Sequence, residues 1–303
     1  MTSPMTRTDW QGVMPAITTP FTADLSLDLP FLRRHVSWLV SHGATGIVTP
    51  GSLGEGATLT HAEKIEIWRA CVESAGGVPV IAAVSALSTR EAVEIAQDAH
   101  HAGCRGLMVL PAYVYVGSWR ETRAHAEAVF RSTPLSCMLY NNPIAYTTDF
   151  LPEQVAELAL GNPNLHAVKE SSADVRRITA IRSLLGDRLA LFVGVDDLIV
   201  EGIAAGATGW IAGLVNALPK ESADLFTLAR QGRHAEARAL YEWFLPLLRM
   251  DVVPEFVHLI KLVQQEVGMG SERVRPPRLT LDGEARERAL RTIRASLASR
   301  AKS

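Results

Sequence analysis

Eight short apolar runs, most of them followed by a segment with helical spacing, set the rhythm of this chain. The runs lie at 13–18, 46–49, 79–84, 106–110, 135–140, 165–169, 189–193 and 209–212, and the intervening segments at 29–41, 61–75, 89–101, 119–132, 152–160, 174–185 and 196–205. Alternation of this kind predicts a parallel sheet with crossover helices, and eight such units close into an α/β (β/α)8 TIM barrel. Thr60 followed by Glu63 reads as a capping box, Gly103 and Gly186 as helix ends, and Pro79 and Pro134 as strand entries where a missing amide donor costs least. Beyond Pro219 the pattern is purely helical, over 221–231, 234–250, 254–267 and, after Arg275-Pro276-Pro277, 283–299. The first of these completes the barrel, so the expected organisation is a catalytic barrel at 1–232 and a small C-terminal helical extension at 233–303.

Composition narrows the function. A net charge of −2 spread over 303 residues leaves no basic face for nucleic acid and no patch for a membrane surface. Cys71, Cys104 and Cys137 are odd in number and embedded in apolar segments, as in a reducing compartment. The first residues carry no apolar signal core and no run is long enough to span a bilayer, so a soluble cytoplasmic protein is expected. His100 and His101 point about 100 degrees apart on a helix, and no metal-ligand spacing occurs, so no metal or cofactor is expected. Asp196 and Asp197 read as helix-start carboxylates, and they would repel a phosphate at the usual barrel position after strands seven and eight. The expected partner is an unphosphorylated small molecule.

Barrels collect their chemistry at the C-terminal strand ends. There this chain places Gly51-Ser52-Leu53-Gly54-Glu55, Pro111 and Tyr113, Tyr140-Asn141-Asn142-Pro143, Lys169, Gly194 with Asp196 and Asp197, and Gly213. Lys169 ends an apolar strand. Strict alternation puts it on one face with Leu165 and Ala167 while Glu170 points away, with no carboxylate on its own face. A desolvated ammonium has a lowered pKa, and the free amine attacks carbonyls; the plain alternative is a strand-end lysine snorkelling into solvent. In the Gly51–Glu55 turn, amides near Ser52 and Leu53 suit a carboxylate, or the turn is simply tight. Tyr140 suits a proton relay or ordinary burial, and Tyr113 follows its strand more closely than Tyr115 does. The convergence of these residues at one mouth favours the chemical readings.

Taken together, GSLGE at 51–55, the proline and tyrosine at 111 and 113, LYNNP at 139–143, VKES at 168–171 and FVGVDD at 192–197 resemble the dihydrodipicolinate synthase and N-acetylneuraminate lyase superfamily. The resemblance covers nearly the whole chain and implies a Schiff-base lysine at Lys169 and a catalytic phenol at Tyr140. It further implies a relay hydroxyl at Ser52 that also binds the substrate carboxylate, a mouth tyrosine at Tyr113 and a homotetramer. Two departures stand out. Synthases carry an arginine five residues after the strand-five tyrosine, where this chain has Ala145, and a threonine where it has Leu53, which should make the pocket drier. Within the superfamily the motifs are most similar to 1-pyrroline-4-hydroxy-2-carboxylate deaminases of hydroxyproline breakdown. The implied reaction yields 2-oxoglutarate semialdehyde and ammonia from a cyclic imino acid. The alternatives are a 2-keto-3-deoxy sugar-acid dehydratase or class I aldolase acting on another 2-oxo acid, and a catalytically silent 2-oxo-acid binder.

Overall fold

A computed structural model describes residues 5–300. All eight expected strands form, as β1 (Gly12–Pro15), β2 (Ile47–Thr49), β3 (Val80–Val84), β4 (Gly106–Val109), β5 (Ser136–Asn141), β6 (Leu165–Glu170), β7 (Ala190–Val193) and β8 (Gly209–Ala212). They run parallel in the order β1-β8-β7-β6-β5-β4-β3-β2. The sheet is drawn together between its ends by the Ala16–Val48 bridge, where the Ile17 amide donates to the Val48 carbonyl at 3.0 Å. This is the (β/α)8 TIM barrel expected from the alternation.

The helices are α1 (Leu29–Ser41), α2 (His61–Ser74), α3 (Thr89–His101), α4 (Trp119–Arg131), α5 (Pro143–Tyr146), α6 (Pro152–Gly161), α7 (Arg176–Leu185), α8 (Ile199–Ala204), α9 (Pro219–Arg230), α10 (His234–Leu248), α11 (Phe256–Glu266) and α12 (Gly283–Ala298). Their starts follow local chemistry. The Thr60 amide donates to the Glu63 carboxylate at 2.8 Å while the Glu63 amide donates to the Thr60 hydroxyl at 3.2 Å, the capping box of α2. Four starts differ from expectation: α7 begins at Arg176 rather than at 174, a 3₁₀ turn, Asp196–Leu198, precedes α8, α9 begins at Pro219 rather than at 221, and α11 begins at Phe256 rather than at 254. The one-turn α5 was not legible from periodicity; it forms because the Asn142 side chain caps the Ala145 amide at 3.1 Å and a proline follows that cap.

Two buried layers separate cleanly. Met14, Val48, Met108, Met138, Phe192 and Ile211 fill the barrel lumen, whereas outward-facing strand residues pack under the helices. Phe244, Leu247, Ile260, Val263 and Ile293 of the C-terminal helices join that outer layer, each contributing about 1.5–3 kcal/mol of burial.

One irregularity corrects the simple alternation of β6. Its register with β5 shifts between Cys137, opposite Leu165, and Met138, opposite Ala167, so His166 is an extra residue. Leu165 is therefore buried in the outer layer while Ala167 belongs to the lumen. Lys169 shares its face with Ala167 but not with Leu165.

Candidate active site

Tyr140 and Lys169 are register partners on β5 and β6, at the C-terminal ends of both strands. The Lys169 side chain is 6% exposed, and its Nζ lies 4.2 Å from the centre of the Tyr140 ring. Its stem passes over Gly194, where an added Cβ would sit 2.4 Å from Lys169 Cε and 2.0 Å from Ser171 Oγ. Space alone, not backbone conformation, requires glycine there. Burial lowers the Lys169 pKa to about 8, opposed by the charges of Asp251 and Asp196. The absence of a carboxylate on its own strand face is thus only part of the electrostatics, because two arrive from other elements.

Asp196 does not cap a helix. Its carboxylate accepts hydrogen bonds from Trp210 Nε1 at 3.0 Å, the Gly213 amide at 3.1 Å and the Leu214 amide at 3.0 Å, tying the end of β7 to the end of β8. Gly213 holds a second requirement, since a Cβ there would fall 1.9 Å from Oδ1 of Asp251. Gly194 and Gly213 therefore make room for side chains of the site. Glu170 points out of the lumen and accepts from Asn141 Nδ2 at 3.0 Å and the Ser172 amide at 2.6 Å.

The Tyr140 phenol is buried, which pushes its pKa up to about 12. Asn142 Nδ2 donates to its oxygen at 2.9 Å, so the phenol's own proton is left to be given elsewhere. Ser52 is bonded not to Tyr140 but to the hydroxyl of Tyr146. The Tyr146 ring stands edge-on to Tyr140 at 6.0 Å and tilted against Tyr113 at 5.9 Å. Tyr113 is half-buried at this cluster, whereas Tyr115 is 61% exposed.

The turn carrying Ser52 is closed by the Glu55 amide donating to the Ser52 carbonyl at 3.1 Å and the Gly56 amide to the Gly51 carbonyl at 3.0 Å. Among the described residues the Ser52 and Leu53 amides have no protein acceptor. The glycine requirement lies later than expected. A Cβ at Gly51 would make only ordinary contacts, at 3.6 Å or more, but one at Gly54 would meet the Ile17 carbonyl at 2.9 Å and one at Gly56 the Pro50 carbonyl at 2.6 Å. The Leu53 side chain packs in the outer apolar layer, so it does not dry the lumen. Ala145 lies exposed on α5.

Asp251 and the Ser52–Tyr146 pairing were not anticipated. Asp251 falls in a 3₁₀ turn, Arg249–Asp251, beyond α10. The only sequence signal was an acid in a break between apolar helices. No group of three His, Cys, Asp or Glu side chains placed to hold a metal occurs among the described residues, and none of their helices is long and apolar enough to cross a membrane.

Fold and site together describe a (β/α)8 barrel with a desolvated amine beside a phenol at its mouth. Residues 9–296 match the model of the Dihydrodipicolinate synthetase family, and the chain belongs to that family. It is similar to the 4-hydroxy-tetrahydrodipicolinate synthase of Chelativorans sp., 32% identical over 92% of this chain and 96% of the relative. It is also similar to that of Nitrosococcus oceani, 33% identical over 93% and 96%. Among solved structures, a dihydrodipicolinate synthase of Bacillus anthracis superposes with a TM-score of 0.91 at 27% identity, over 98% of this chain and 100% of that one. YagE of E. coli, a prophage protein of the family solved in complex with pyruvate, superposes with a TM-score of 0.89 at 27% identity, over 95% and 99%. The chain is accordingly an enzyme of this family, of the class I aldolase/lyase type. The Chelativorans, Nitrosococcus and Bacillus relatives bear the name of synthases rather than of the deaminases that the motifs suggested.

Proposed function

We propose that this chain is a class I lyase that forms a Schiff base between Lys169 and C2 of a 2-oxo acid or the equivalent cyclic imino acid. The observation that carries the reading is the Lys169 amine, buried, lowered to about 8 and beside the Tyr140 phenol. The amine attacks C2, Tyr140 moves protons between nitrogen and oxygen, and the free amides at Ser52 and Leu53 hold the substrate carboxylate. The resulting iminium is the electron sink for loss of a C3 proton, after which a bond at C3 or C4 forms or breaks. The family relative solved with pyruvate supports a 2-oxo acid as the partner. Reduction with borohydride in the presence of pyruvate should add mass at Lys169. An unlabelled but pyruvate-stabilised protein would indicate a silent binder, and full turnover by Lys169→Ala would reject every Schiff-base version.

A second, narrower reading rests on Ala145. An arginine clamp for a second carboxylate is absent there, a loss of roughly 1.5–3 kcal/mol of charge-assisted bonding. That disfavours the synthase reaction and favours a substrate that eliminates from C4, as in deamination of 1-pyrroline-4-hydroxy-2-carboxylate or dehydration of a 2-keto-3-deoxy acid. In the deaminase, Lys169 opens the ring at C2, the C3 proton and C4 hydroxyl leave, and hydrolysis frees 2-oxoglutarate semialdehyde and ammonia. Ammonia release from hydroxypyrroline carboxylate supports the deaminase, and turnover of a keto-deoxy acid without ammonia supports the dehydratase. The unpaired, buried Cys71, Cys104 and Cys137 accord with a cytoplasmic enzyme, and the homotetramer implied by the motifs is tested by light scattering.

A further inference from the structure

The strand ends that turn Tyr140 and Lys169 into the lumen turn the next residues out of it, and there Asn141 and Glu170 are register partners. Both side chains are buried. Asn141 Nδ2 donates to Glu170 Oε2 at 3.0 Å, to Asp149 Oδ1 at 3.2 Å and to the Phe150 carbonyl at 3.3 Å, while its Oδ1 accepts from the Phe150 amide at 2.9 Å. The side-chain amide thus pairs with both main-chain groups of Phe150, as a neighbouring strand would. That pairing closes the loop 142–149 at its base. Asp149 is held from its other side by Arg177 of α7, at 2.5 and 2.9 Å, and the second oxygen of Glu170 accepts from the Ser172 amide at 2.6 Å. One primary amide ties β5, β6 and the end of the loop together.

The loop contains α5, and α5 presents the Tyr146 hydroxyl to that of Ser52. It ends at Thr147 with φ 60°, a left-handed geometry that a β-branched residue keeps only where its surroundings hold it. The first loop residue, Asn142, caps α5 through Oδ1 and donates to the Tyr140 oxygen through Nδ2. A shift at the loop base therefore reaches the mouth of the barrel. We propose that Asn141 is a positioning residue that acts through Tyr146: its amide fixes the base of the loop and so fixes where the Tyr146 hydroxyl meets Ser52. The inference rests on the reading of Lys169 as the Schiff-base lysine with Ser52 and Tyr146 beside it. Asn141 faces away from the lumen, so its influence on the reaction runs through the loop and not through contact with the reacting atoms.

The test uses the full chain with pyruvate and cyanoborohydride, following the mass added at Lys169 with time and the fold by circular dichroism. Asn141→Asp keeps an acceptor for the Phe150 amide but turns acceptors on Glu170, Asp149 and the Phe150 carbonyl. It should lower the limiting trapping rate by about a hundredfold, with the half-saturating pyruvate concentration little changed. Adding Glu170→Gln restores a donor across the pair together with the original charge, and should regain about tenfold. Tyr146→Phe should slow trapping by about tenfold in the wild type and add nothing in the Asn141→Asp chain. A merely structural Asn141 would instead give losses that multiply. Trapping by Asn141→Asp at the wild-type limiting rate, or the same Tyr146→Phe factor in both chains, overturns the inference and leaves the Schiff base intact. Absence of trapping at Lys169 in the wild type overturns the Schiff-base reading and this inference with it. Should Asn141→Asp not fold, Asn141→Ser, too short to span Phe150 and Glu170 and without charge, is put through the same comparison with Tyr146→Phe and is judged by the same outcomes.

Discussion

The Lys261 ammonium on α11 lies 2.5 Å from Oε1 of Glu55 at the end of the Ser52 turn, with both side chains sealed from solvent. Glu55 sits in left-handed backbone geometry at φ 55° and also accepts from the Arg275 amide at 2.9 Å, while Lys261 donates to the Arg273 carbonyl at 2.6 Å. Both Lys261 and Arg275 lie over the Phe21 ring, with Nζ and Cζ each 4.5 Å from its centre. The C-terminal extension thereby clamps the turn that presents the free amides.

Removing one partner of this pair leaves the other charge buried. Lys261→Met should therefore cost about 3–5 kcal/mol in urea unfolding. Converting Glu55 to Gln in the same chain should recover part of that loss. A change under 1 kcal/mol for Lys261→Met would show that Arg278, whose Nη1 lies 3.9 Å from Glu55 Oε2, suffices to balance Glu55.

The contact between Gly194 and the Lys169 stem gives a variant that displaces the amine without touching its chemistry. Gly194→Ala puts a methyl group where Lys169 Cε and Ser171 Oγ now lie. The amine must move by about an ångström, which in a positioned reaction costs about a hundredfold in rate. Borohydride trapping with pyruvate measures it, with circular dichroism to check the fold.

Ser52 and Tyr146 share one hydrogen bond, so their effects should not add. Ser52→Ala and Tyr146→Phe should each lower kcat/KM, and the double variant should be no worse than the poorer single, a coupling of about 0.5–3 kcal/mol. Additive losses would mean that the two hydroxyls act separately. Tyr113→Phe, outside this bond, serves as the comparison.

His35 supplies a pH dependence of stability. It is buried between Phe31 and Trp38, its Nε2 within 2.9 Å of the Asn216 carbonyl, and burial lowers its pKa from 6.5 to about 4. The folded protein therefore resists the proton that the unfolded chain accepts. The stability that His35 allows is complete above pH 6.5 and is lost as pH falls from there towards 4, by about 3 kcal/mol. Urea midpoints at pH 7.5 and 4.5, compared between wild type and His35→Gln, should show a smaller acid loss in the variant; equal losses would assign it to carboxylates alone.

The strands, the helices and the mouth residues were largely legible because each rests on a local rule. Alternating apolar runs define strands, caps define helix starts, and strand ends define the mouth. Lys169, Tyr140 and Ser52 could be singled out because each interrupts such a pattern. The bulge at His166 escaped this reading, since an extra residue in one strand is visible only against its neighbour. So did the destination of Leu53, whose side chain turns to the outer layer, and the bonds of Asp196, whose donors belong to β8 and the turn beyond it.

By itself the sequence determined that an eightfold β/α repeat would form and that one lysine would lie near the end of its sixth strand among apolar residues. The tertiary structure alone decided what surrounds that lysine. Asp251 arrives from beyond α10, Glu55 is met by Lys261 from α11, and Tyr146 reaches Ser52 across 94 positions of chain. Periodicity records which way a side chain faces within its own element. Which charge stands opposite it depends on how distant elements close around the barrel, and no local pattern carries that.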